Sequence, residues 1–231
     1  MEIGKFITFE GPEGSGKSTH IKRLTQFLED QGIDVVATRE PGGTALGERI
    51  RNMIQHSADG EIPVYRTELL LFLASRAQHV EQLIIPEIKA GSWVLCDRFY
   101  DSTMAYQGYG RGLDLQELKR LNSFAVNGLN PDLTILIDVS PETSRKRLAH
   151  RHSSGEIKPD RIEKEEAEFH ERLRNGFLEL AEKEQDRFYV VNAEREHDVV
   201  MEDIRSFITN RFFSPSNSLT PPTPYSLKHA N

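Results

Sequence analysis

The sequence predicts a three-layer α/β fold in which a five-stranded parallel sheet is covered by helices on both faces. Short apolar runs alternate with longer stretches of helical periodicity, the pattern of a parallel sheet. The chain has 231 residues, enough for one domain with a full hydrophobic core, and no internal repeat is found. The predicted strands span residues 6–10, 34–38, 93–96, 133–139 and 188–191. The predicted helices span residues 17–31, 44–56, 67–89, 115–127, 141–150, 163–184 and 199–211.

The local patterns justify these elements in order. Residues 6–10, FITFE, have the composition of a buried strand, and the next helix repeats apolar residues at Ile21, Leu24 and Leu28 on one face. The second strand ends at a turn that Pro41 restricts, and a helix follows it. The remaining segments continue the alternation of strands and helices, which favours a single parallel sheet.

Two segments differ in composition from the rest. Residues 150–160 have almost no apolar content, so we expect a mobile loop within a lid at about residues 150–161. Residues 214–231 are rich in Pro, Ser, Thr and Asn and are expected to form a disordered tail. An extension without a role is favoured for this tail over a docking motif. The folded domain is therefore predicted to span residues 1–213.

Composition limits the classes of function. The formal net charge of −7 argues against general nucleic-acid binding. No apolar stretch reaches 18 residues and no signal peptide is recognised, so neither a membrane span nor secretion is expected. Cys96 is the only cysteine, and the eight histidines lack zinc-site spacing. We expect a cytoplasmic protein without a dedicated zinc site.

Residues 11–19 fit the pattern G-x-x-x-x-G-K-[ST] between the first strand and the first helix. Glycines let backbone N–H groups converge on an oligophosphate, and the helix N-terminus adds its positive dipole. Lys17 is expected to reach the β- and γ-phosphates, and the Ser18 hydroxyl to bind Mg²⁺. The candidate ATP-binding residues are Gly11, Pro12, Glu13, Gly14, Ser15, Gly16, Lys17, Ser18 and Thr19. With this P-loop, the predicted sheet has the layout of a P-loop kinase.

Charged residues follow the second and third strands where each strand ends. Arg39 and Glu40 stand at the carboxyl edge, where ligands bind in open α/β sheets. Asp97 and Arg98 stand at the end of the third strand. An acidic residue there can hold Mg²⁺ or its waters, and an arginine can bridge two phosphates. The simpler alternative at both places is a structural ion pair.

Phe72 and Arg76 lie four residues apart on one face of a predicted helix. A ring beside a guanidinium can stack on a nucleotide base and donate to its carbonyl oxygens. Alternatively, Phe72 joins Leu69, Leu73 and Val80 in the core while Arg76 lies at the surface, which spacing alone favours. Residues 105–112, AYQGYGRG, are expected to form a flexible loop suited to a sugar and a base edge.

The segment 145–161 holds six basic residues against Glu156 and Asp160. A basic flap can close on a triphosphate and neutralise the transferring group, whereas the simpler reading is a solvated helix end. The basic residues are Arg145, Lys146, Arg147, Arg151, Lys158 and Arg161.

The motifs together resemble those of the bacterial thymidylate kinases. The resemblance covers about residues 5–210 and implies phosphoryl transfer from ATP to dTMP by a homodimer that uses Mg²⁺. Its segments are FITFEGPEGSGKST (6–19), TREPGGT (38–44), LFLASRAQHV (71–80), VLCDRFYDST (94–103), AYQGYGRG (105–112), NGLNPDLTILIDV (127–139) and DRIE (160–163).

The resemblance implies roles for matching residues. Phe72 would stack on thymine and Arg76 would bond to the base. Arg51, Thr103 and Gln107 would lie near the base or the sugar edge.

The phosphate side of the site is implied in the same way. Arg98 would hold the dTMP phosphate, Tyr106 would crowd the 2′ position, and Glu40 with Asp97 would organise Mg²⁺ and its waters. Glu13 indicates the subtype that takes its catalytic arginine from the lid.

The resemblance offers two candidates for the lid arginine, and the sequence departs from the family pattern at one position. Arg151 is the first candidate for the lid arginine and Arg161 the second. Phe99 departs from the tyrosine usual after the aspartate-arginine pair.

Two other classes of function stay open from the residues: another nucleotide or deoxynucleoside kinase, and a P-loop switch or binding protein. A deoxynucleoside kinase would need a carboxylate base beside a 5′-hydroxyl, for which Glu40 could serve. A P-loop switch protein would need no acceptor, but the chain lacks the guanine-reading pattern N-K-x-D.

Overall fold

The computed structural model describes residues 3–56, 61–153 and 165–214. Its sheet has five parallel strands in the order β2-β3-β1-β4-β5, with helices on both faces. The strands are β1 (Phe6–Glu10), β2 (Val35–Arg39), β3 (Trp93–Asp97), β4 (Leu133–Asp138) and β5 (Phe188–Asn192). The predicted α/β class and five-stranded sheet are confirmed, with strand ends shifted by at most one residue.

The helices alternate with the strands along the chain. Three of them run on into a π-helical turn, at Val80–Ile84, Met104–Gly110 and Thr209–Phe213. The helices are α1 (Lys17–Asp30), α2 (Ala45–Gln55), α3 (Tyr65–His79), α4 (Ile85–Ala90), α5 (Tyr100–Thr103), α6 (Leu115–Val126), α7 (Pro141–Ser153), α8 (Ala167–Lys183) and α9 (His197–Ile208).

The strand β1 lies at the centre of the sheet and is buried along its whole length. On one face, Phe9 packs with residues of α1 and α9 such as Leu24 and Ile204. On the other face, Phe6 packs with Val80 and Phe99. Because both faces are covered, side chains at the strand ends are where polar groups can meet a ligand.

The strand register brings the functional turns together. Phe9 of β1 pairs with Asp97 of β3, and Asp97 pairs with Arg39 of β2. Glu40 N–H also donates to the Asp97 carbonyl at 2.9 Å. The turns after β1, β2 and β3 therefore open at one edge of the sheet.

The expectation of a flexible loop at 105–112 is wrong, because residues 100–110 form helical turns. The glycines there allow close packing. A Cβ at Gly108 would lie 2.5 Å from Leu115 Cδ2, and one at Gly110 would lie 2.6 Å from Phe169 Cε2. Glycine in this segment therefore signals tight contact between helices.

Other element ends also differ from the predictions. The stretch predicted as one helix at 67–89 is α3, a π-turn at Val80–Ile84 and α4. The helix α7 continues to Ser153, so residues 150–153 are not a loop. The helix predicted from 163 begins at Ala167. Most of the predicted lid, residues 154–161, and the predicted tail beyond 214 lie outside the described residues.

Membrane insertion was not expected from the sequence. Among residues 3–56, 61–153 and 165–214, no helix combines the length and the apolar composition needed to cross a bilayer.

Candidate active site

The P-loop joins β1 to α1 through three glycines with positive φ. Gly11, Gly14 and Gly16 have φ values of 133°, 71° and 99°, a region that side chains rarely adopt. A Cβ at Gly11 would also lie 2.5 Å from the Ile137 carbonyl oxygen. Gly16 precedes α1, and no side chain caps that helix N-terminus. Its first N–H groups are thus available for an anion.

Lys17 lies folded back over this loop. Its Nζ donates to the carbonyl oxygens of Gly11 and Pro12, at 3.1 and 2.8 Å. Burial, followed by the charge of Arg98, lowers the pKa of Lys17 to about 8. In the free protein Lys17 therefore loses its proton near pH 8, and a bound oligophosphate would favour its charged form.

We expect ATP affinity to fall as the pH rises above about 8. Above that pH the free protein holds a growing share of neutral Lys17, while the triphosphate complex retains the proton. ATP binding then takes up a proton, and affinity falls by at most about tenfold per pH unit. Calorimetry near pH 8.5 in two buffers of different ionisation enthalpy measures this uptake. Lys17→Met should remove it, and equal uptake in that variant would assign the proton to another group.

Ser18 and Asp97 meet between α1 and the end of β3. The Ser18 hydroxyl donates to Asp97 Oδ2 at 2.7 Å. A hydroxyl and a carboxylate are the hard oxygen donors that Mg²⁺ prefers, and Mg²⁺ commonly takes its other ligands from phosphates and water. These residues therefore fit a magnesium ion beside the P-loop.

Arg98 lies across the P-loop, directly after Asp97. Its backbone φ is 70°, which is uncommon for arginine and costs conformational energy. One terminal nitrogen donates to the Gly11 carbonyl and to Ser102 Oγ, at 2.9 and 3.0 Å. The other donates to Glu13 Oε1 at 2.8 Å. The protein thus fixes this guanidinium beside the loop that the P-loop motif assigns to phosphates.

Glu13 connects Arg98 with the acceptor side. The Tyr106 hydroxyl donates to both Glu13 oxygens, at 2.7 and 2.8 Å, and the Arg98 guanidinium lies 4.9 Å from the Tyr106 ring centroid. Burial opposes ionisation of Glu13, but the charges of Arg98 and Lys17 outweigh it and lower the pKa of Glu13. The carboxylate therefore stays charged between two cations.

Arg76 is 1% exposed, with its guanidinium inside the protein. Its Nε donates to Glu40 Oε2 at 2.8 Å, and Nη1 donates to Thr103 Oγ1 and Asn122 Oδ1 at 3.0 and 2.6 Å. Nη2 donates to the Phe99 carbonyl at 3.1 Å. These bonds use four of five N–H donors. Arg76 therefore does not lie at the surface, contrary to the simpler interpretation of the sequence.

The Glu40 carboxylate, predicted to act at Mg²⁺, is bonded to side chains outside the Ser18–Asp97 pair, while its backbone N–H donates to the Asp97 carbonyl at 2.9 Å. Glu40 Oε2 accepts from Arg76, and Oε1 is bonded to His79 Nδ1 at 3.1 Å. Both oxygens are thus engaged in a buried cluster. Ser18 and Asp97 are the predicted magnesium ligands that contact each other directly, and the role of Glu40 at Mg²⁺ stays a prediction.

Phe72 is half-buried on α3. Leu69 and Leu73, which flank it, belong to one hydrophobic cluster, and Val80 belongs to another. Phe72 is in neither cluster within the described part of the chain. Its ring therefore does not pack in the hydrophobic core, contrary to the alternative interpretation.

The other predicted acceptor residues lie near this helix. Arg51 of α2 donates to the Pro41 carbonyl at 3.0 Å, and the exposed Arg39 pairs with Glu48 at 2.8 Å. Thr103 and Gln107 are buried, and Gln107 Nε2 donates to Glu68 Oε1 at 2.9 Å. A carboxylate can only accept, so it fixes the orientation of the Gln107 amide and leaves the amide oxygen for another donor.

Comparison with known proteins identifies the family of this chain. The family model for thymidylate kinase matches residues 9–204. The chain belongs to the thymidylate kinase family. It is similar to the thymidylate kinase of Carboxydothermus hydrogenoformans, at 48% identity over 89% of this chain and 97% of the relative. It is also similar to that of Clostridium novyi, at 42% identity over 90% of this chain and 100% of the relative.

A solved structure agrees with this assignment to the thymidylate kinase family. The crystal structure of thymidylate kinase from Ehrlichia chaffeensis matches with a TM-score of 0.71 and 36% identity. The match covers 88% of this chain and 97% of that chain. The resemblance stated from the sequence motifs is thus confirmed at the level of the family.

The two candidates for the lid arginine of this family member are placed differently. Arg151 lies in the last turn of α7 and is partly buried. Arg161 lies outside the described residues. A third arginine of the same segment, Arg147, donates to the carbonyls of Ser15 and Ala193, at 3.4 and 2.8 Å. It therefore links the P-loop to the turn after β5.

Sequence reasoning missed three buried polar residues that support the site. Glu10 accepts from Phe99 N–H and the Ser102 hydroxyl, at 2.8 and 2.5 Å, and burial followed by the charge of Asp101 raises its pKa to about 8. Glu68 and His79 are fully buried on α3. Their signal was a charged or polar residue on the apolar face of a strand or helix.

Proposed function

We propose that this chain transfers the γ-phosphoryl group of ATP to dTMP, giving ADP and dTDP. The observation that carries this is the position of Arg98, fixed by Gly11 and Glu13 of the P-loop and lying over the Tyr106 ring. An arginine there can contact a donor phosphate and an acceptor phosphate with its planar fork. Membership of the thymidylate kinase family supports the choice of acceptor.

The residues of the site would promote the reaction by positioning the substrates and by neutralising charge. In the transfer, an oxygen of the dTMP phosphate bonds to the γ-phosphorus while the bond to the β–γ bridging oxygen breaks, and ADP leaves with the electron pair. Lys17 and the α1 N-terminus bind the donor phosphates, and Arg98 binds the acceptor phosphate. Ser18 and Asp97 would hold Mg²⁺, which would supply further charge neutralisation when bound. We assign the lid arginine to Arg151 first and to Arg161 second.

The acceptor phosphate is already anionic, so this reaction needs no general base. A deoxynucleoside kinase would need one, and Glu40 was the candidate from the sequence. Both Glu40 oxygens are bonded to Arg76 and His79. This arrangement favours a nucleotide acceptor over a nucleoside.

The test is ADP formation from ATP and Mg²⁺ with separate acceptors. We expect strong turnover with dTMP, weaker turnover with dUMP, and none with thymidine. Turnover with thymidine would make the protein a nucleoside kinase. ATP binding without turnover on dTMP, dUMP, dCMP, AMP or thymidine would favour a switch or binding role.

The base pocket is proposed to lie along α3. Phe72 stacks on thymine, Arg76 bonds to the base, and Arg51, Thr103 and Gln107 lie near the base or sugar edge. Tyr106, which is buried beside Glu13, restricts the 2′ position and favours deoxyribose.

Phe72→Ala is expected to weaken dTMP binding by about tenfold or more and to leave ATP binding within about twofold, since lost base stacking is worth about 1–3 kcal/mol. Separate titrations with each nucleotide measure the difference. Phe27→Ala is the matched control, because Phe27 is partly buried against the cluster between the sheet and α1. Equal weakening of both ligands by Phe72→Ala would return Phe72 to a structural role.

We also propose that the chain forms a homodimer in the cytoplasm. Large apolar side chains are exposed on three adjacent helices: Leu46 and Met53 on α2, Leu70 on α3, and Phe124 on α6. Phe124 is 88% exposed. Exposed apolar side chains on neighbouring helices favour burial against another protein, and a second copy is the partner that the resemblance implies.

Leu70→Glu is expected to shift the dimer toward monomer in sedimentation measurements, because it places a charge in the proposed interface. Val199→Glu on α9, at a similarly exposed apolar residue, should leave the mass unchanged. A monomeric wild-type protein, or a dimer unaffected by Leu70→Glu, would contradict this interface.

A further inference from the structure

His79 lies on the same face of α3 as the two residues assigned to the base. Phe72, Arg76 and His79 follow the spacing i, i+4, i+7. The His79 ring is fully buried, and both of its nitrogens are bonded. Nδ1 lies 3.1 Å from Glu40 Oε1, and Nε2 lies 2.7 Å from Thr38 Oγ1.

The chemistry of Glu40 and Thr38 determines which atom donates in each hydrogen bond of His79. Glu40 is the buried counter-ion of Arg76, at 2.8 Å, and its carboxylate can only accept. Nδ1–H of His79 is therefore the donor to Glu40. The Thr38 hydroxyl can donate or accept, so it fits Nε2 in either state. His79 thus joins the end of β2 to the carboxylate that pairs with Arg76.

The turn after β2 is built around this imidazole. A Cβ at Gly43 would lie 2.4 Å from His79 Nε2, and the residue has a φ of 76°. Gly42 N–H donates to Ser75 Oγ at 3.2 Å, one residue before Arg76. The ring therefore fills the space between the turn and α3, and glycine is needed at 43 to admit it.

Glu40 accepts one of the four hydrogen bonds that orient Arg76 and is its buried counter-ion. Its Nε donates to one Glu40 oxygen, while His79 is bonded to the other. Without the His79 donor, Glu40 Oε1 would be a buried acceptor short of a partner, which is unfavourable inside a protein. If the carboxylate rotated to recover a bond, the Arg76 Nε–H would lose its acceptor, and the guanidinium would be held only by Thr103, Asn122 and the Phe99 carbonyl.

We propose that His79 is a positioning residue for dTMP recognition: its Nδ1–H fixes Glu40, Glu40 fixes Arg76, and Arg76 contacts the base. His79 itself does not touch the nucleotide. The proposal rests on the proposed function, because it takes Arg76 as a ligand of the base.

Two variants separate the two bonds of the ring. In His79→Asn the amide nitrogen stands near the position of Nδ1, so the donor to Glu40 is kept. In His79→Gln it stands near the position of Nε2, so the donor to Glu40 is lost and the contact with Thr38 is kept. We expect the KM for dTMP to stay within about threefold in His79→Asn and to rise by about tenfold or more in His79→Gln. The KM for ATP should stay within about twofold in both.

Two further variants control for a merely structural role. Thr38→Val removes the other hydrogen bond of the ring and should leave the KM for dTMP within about threefold. Arg76→Ala provides a double-mutant cycle: if His79 acts through Arg76, adding His79→Gln to Arg76→Ala should cause little further loss. If His79→Gln does not fold, His79→Met, which also lacks the donor, replaces it.

The outcomes distinguish this proposal from the proposed function. Wild-type turnover of dTMP with equal KM values in His79→Asn and His79→Gln would overturn the role of His79 alone. So would parallel increases in the KM values for dTMP and ATP, or additive losses in the cycle. A wild-type protein that neither binds nor phosphorylates dTMP would overturn both.

Discussion

Replacing Arg98 with alanine is expected to lower kcat by at least about 10³-fold, the scale of a lost arginine that stabilises charge in phosphoryl transfer. The guanidinium is fixed by Gly11, Glu13 and Ser102 beside the P-loop. Since it acts on the group in transfer, the loss should fall mainly on kcat. Steady-state assays with each substrate varied in turn measure this division.

Two controls accompany the Arg98 variant. Arg98→Lys keeps the charge but not the planar fork, so we expect recovery of only part of the rate. Arg23→Ala removes a surface arginine that pairs with the exposed Asp198 and should leave kcat unchanged. A loss below tenfold in Arg98→Ala would remove Arg98 from the catalytic role.

Asp97→Asn is expected to lower kcat by about 10²-fold at limiting Mg²⁺, a typical cost of losing one electrostatic contact to a transition state. Asn keeps the shape of the residue that Ser18 contacts at 2.7 Å, but loses the negative charge that favours a cation. Raising the Mg²⁺ concentration should restore part of the rate. The measurement is a titration of activity against Mg²⁺ at saturating ATP and dTMP.

Glu40→Gln is the matched control for this titration. The structure pairs Glu40 with Arg76 and His79. The variant should therefore raise the KM for dTMP and leave the Mg²⁺ dependence unchanged. A shifted Mg²⁺ requirement in Glu40→Gln would instead support the role at Mg²⁺ that the sequence suggested. An unchanged requirement in Asp97→Asn would remove Asp97 from the metal site.

The ATP phosphate site could be predicted from sequence because contiguous residues form it. The strand, the glycine loop and Lys17–Ser18 are adjacent in the chain, and the backbone geometry of the loop needs glycine at fixed positions. Asp97 and Arg98 could be placed because parallel strands end at a common edge.

The acceptor side was less predictable because its contacts join distant segments. That Arg76 lies inside the protein follows from Glu40, Thr103 and Asn122, which stand 36, 27 and 46 residues away. Helical spacing gives only the face of α3, not what lies opposite it. The helical turns at 100–110 were missed because glycine weakens a helical pattern in sequence, although here it admits Leu115 and Phe169.

The strand order has a consequence for how this enzyme can change. The strands β2 and β3 lie on one side of β1, and β4 and β5 lie on the other. Arg76 and Glu40 belong to the first side, whereas Arg147 connects the P-loop with the turn after β5 on the second. The central strand is common to both. Residues that hold Arg76 on one side of β1 can thus change without altering the bonds of Arg147 on the other side.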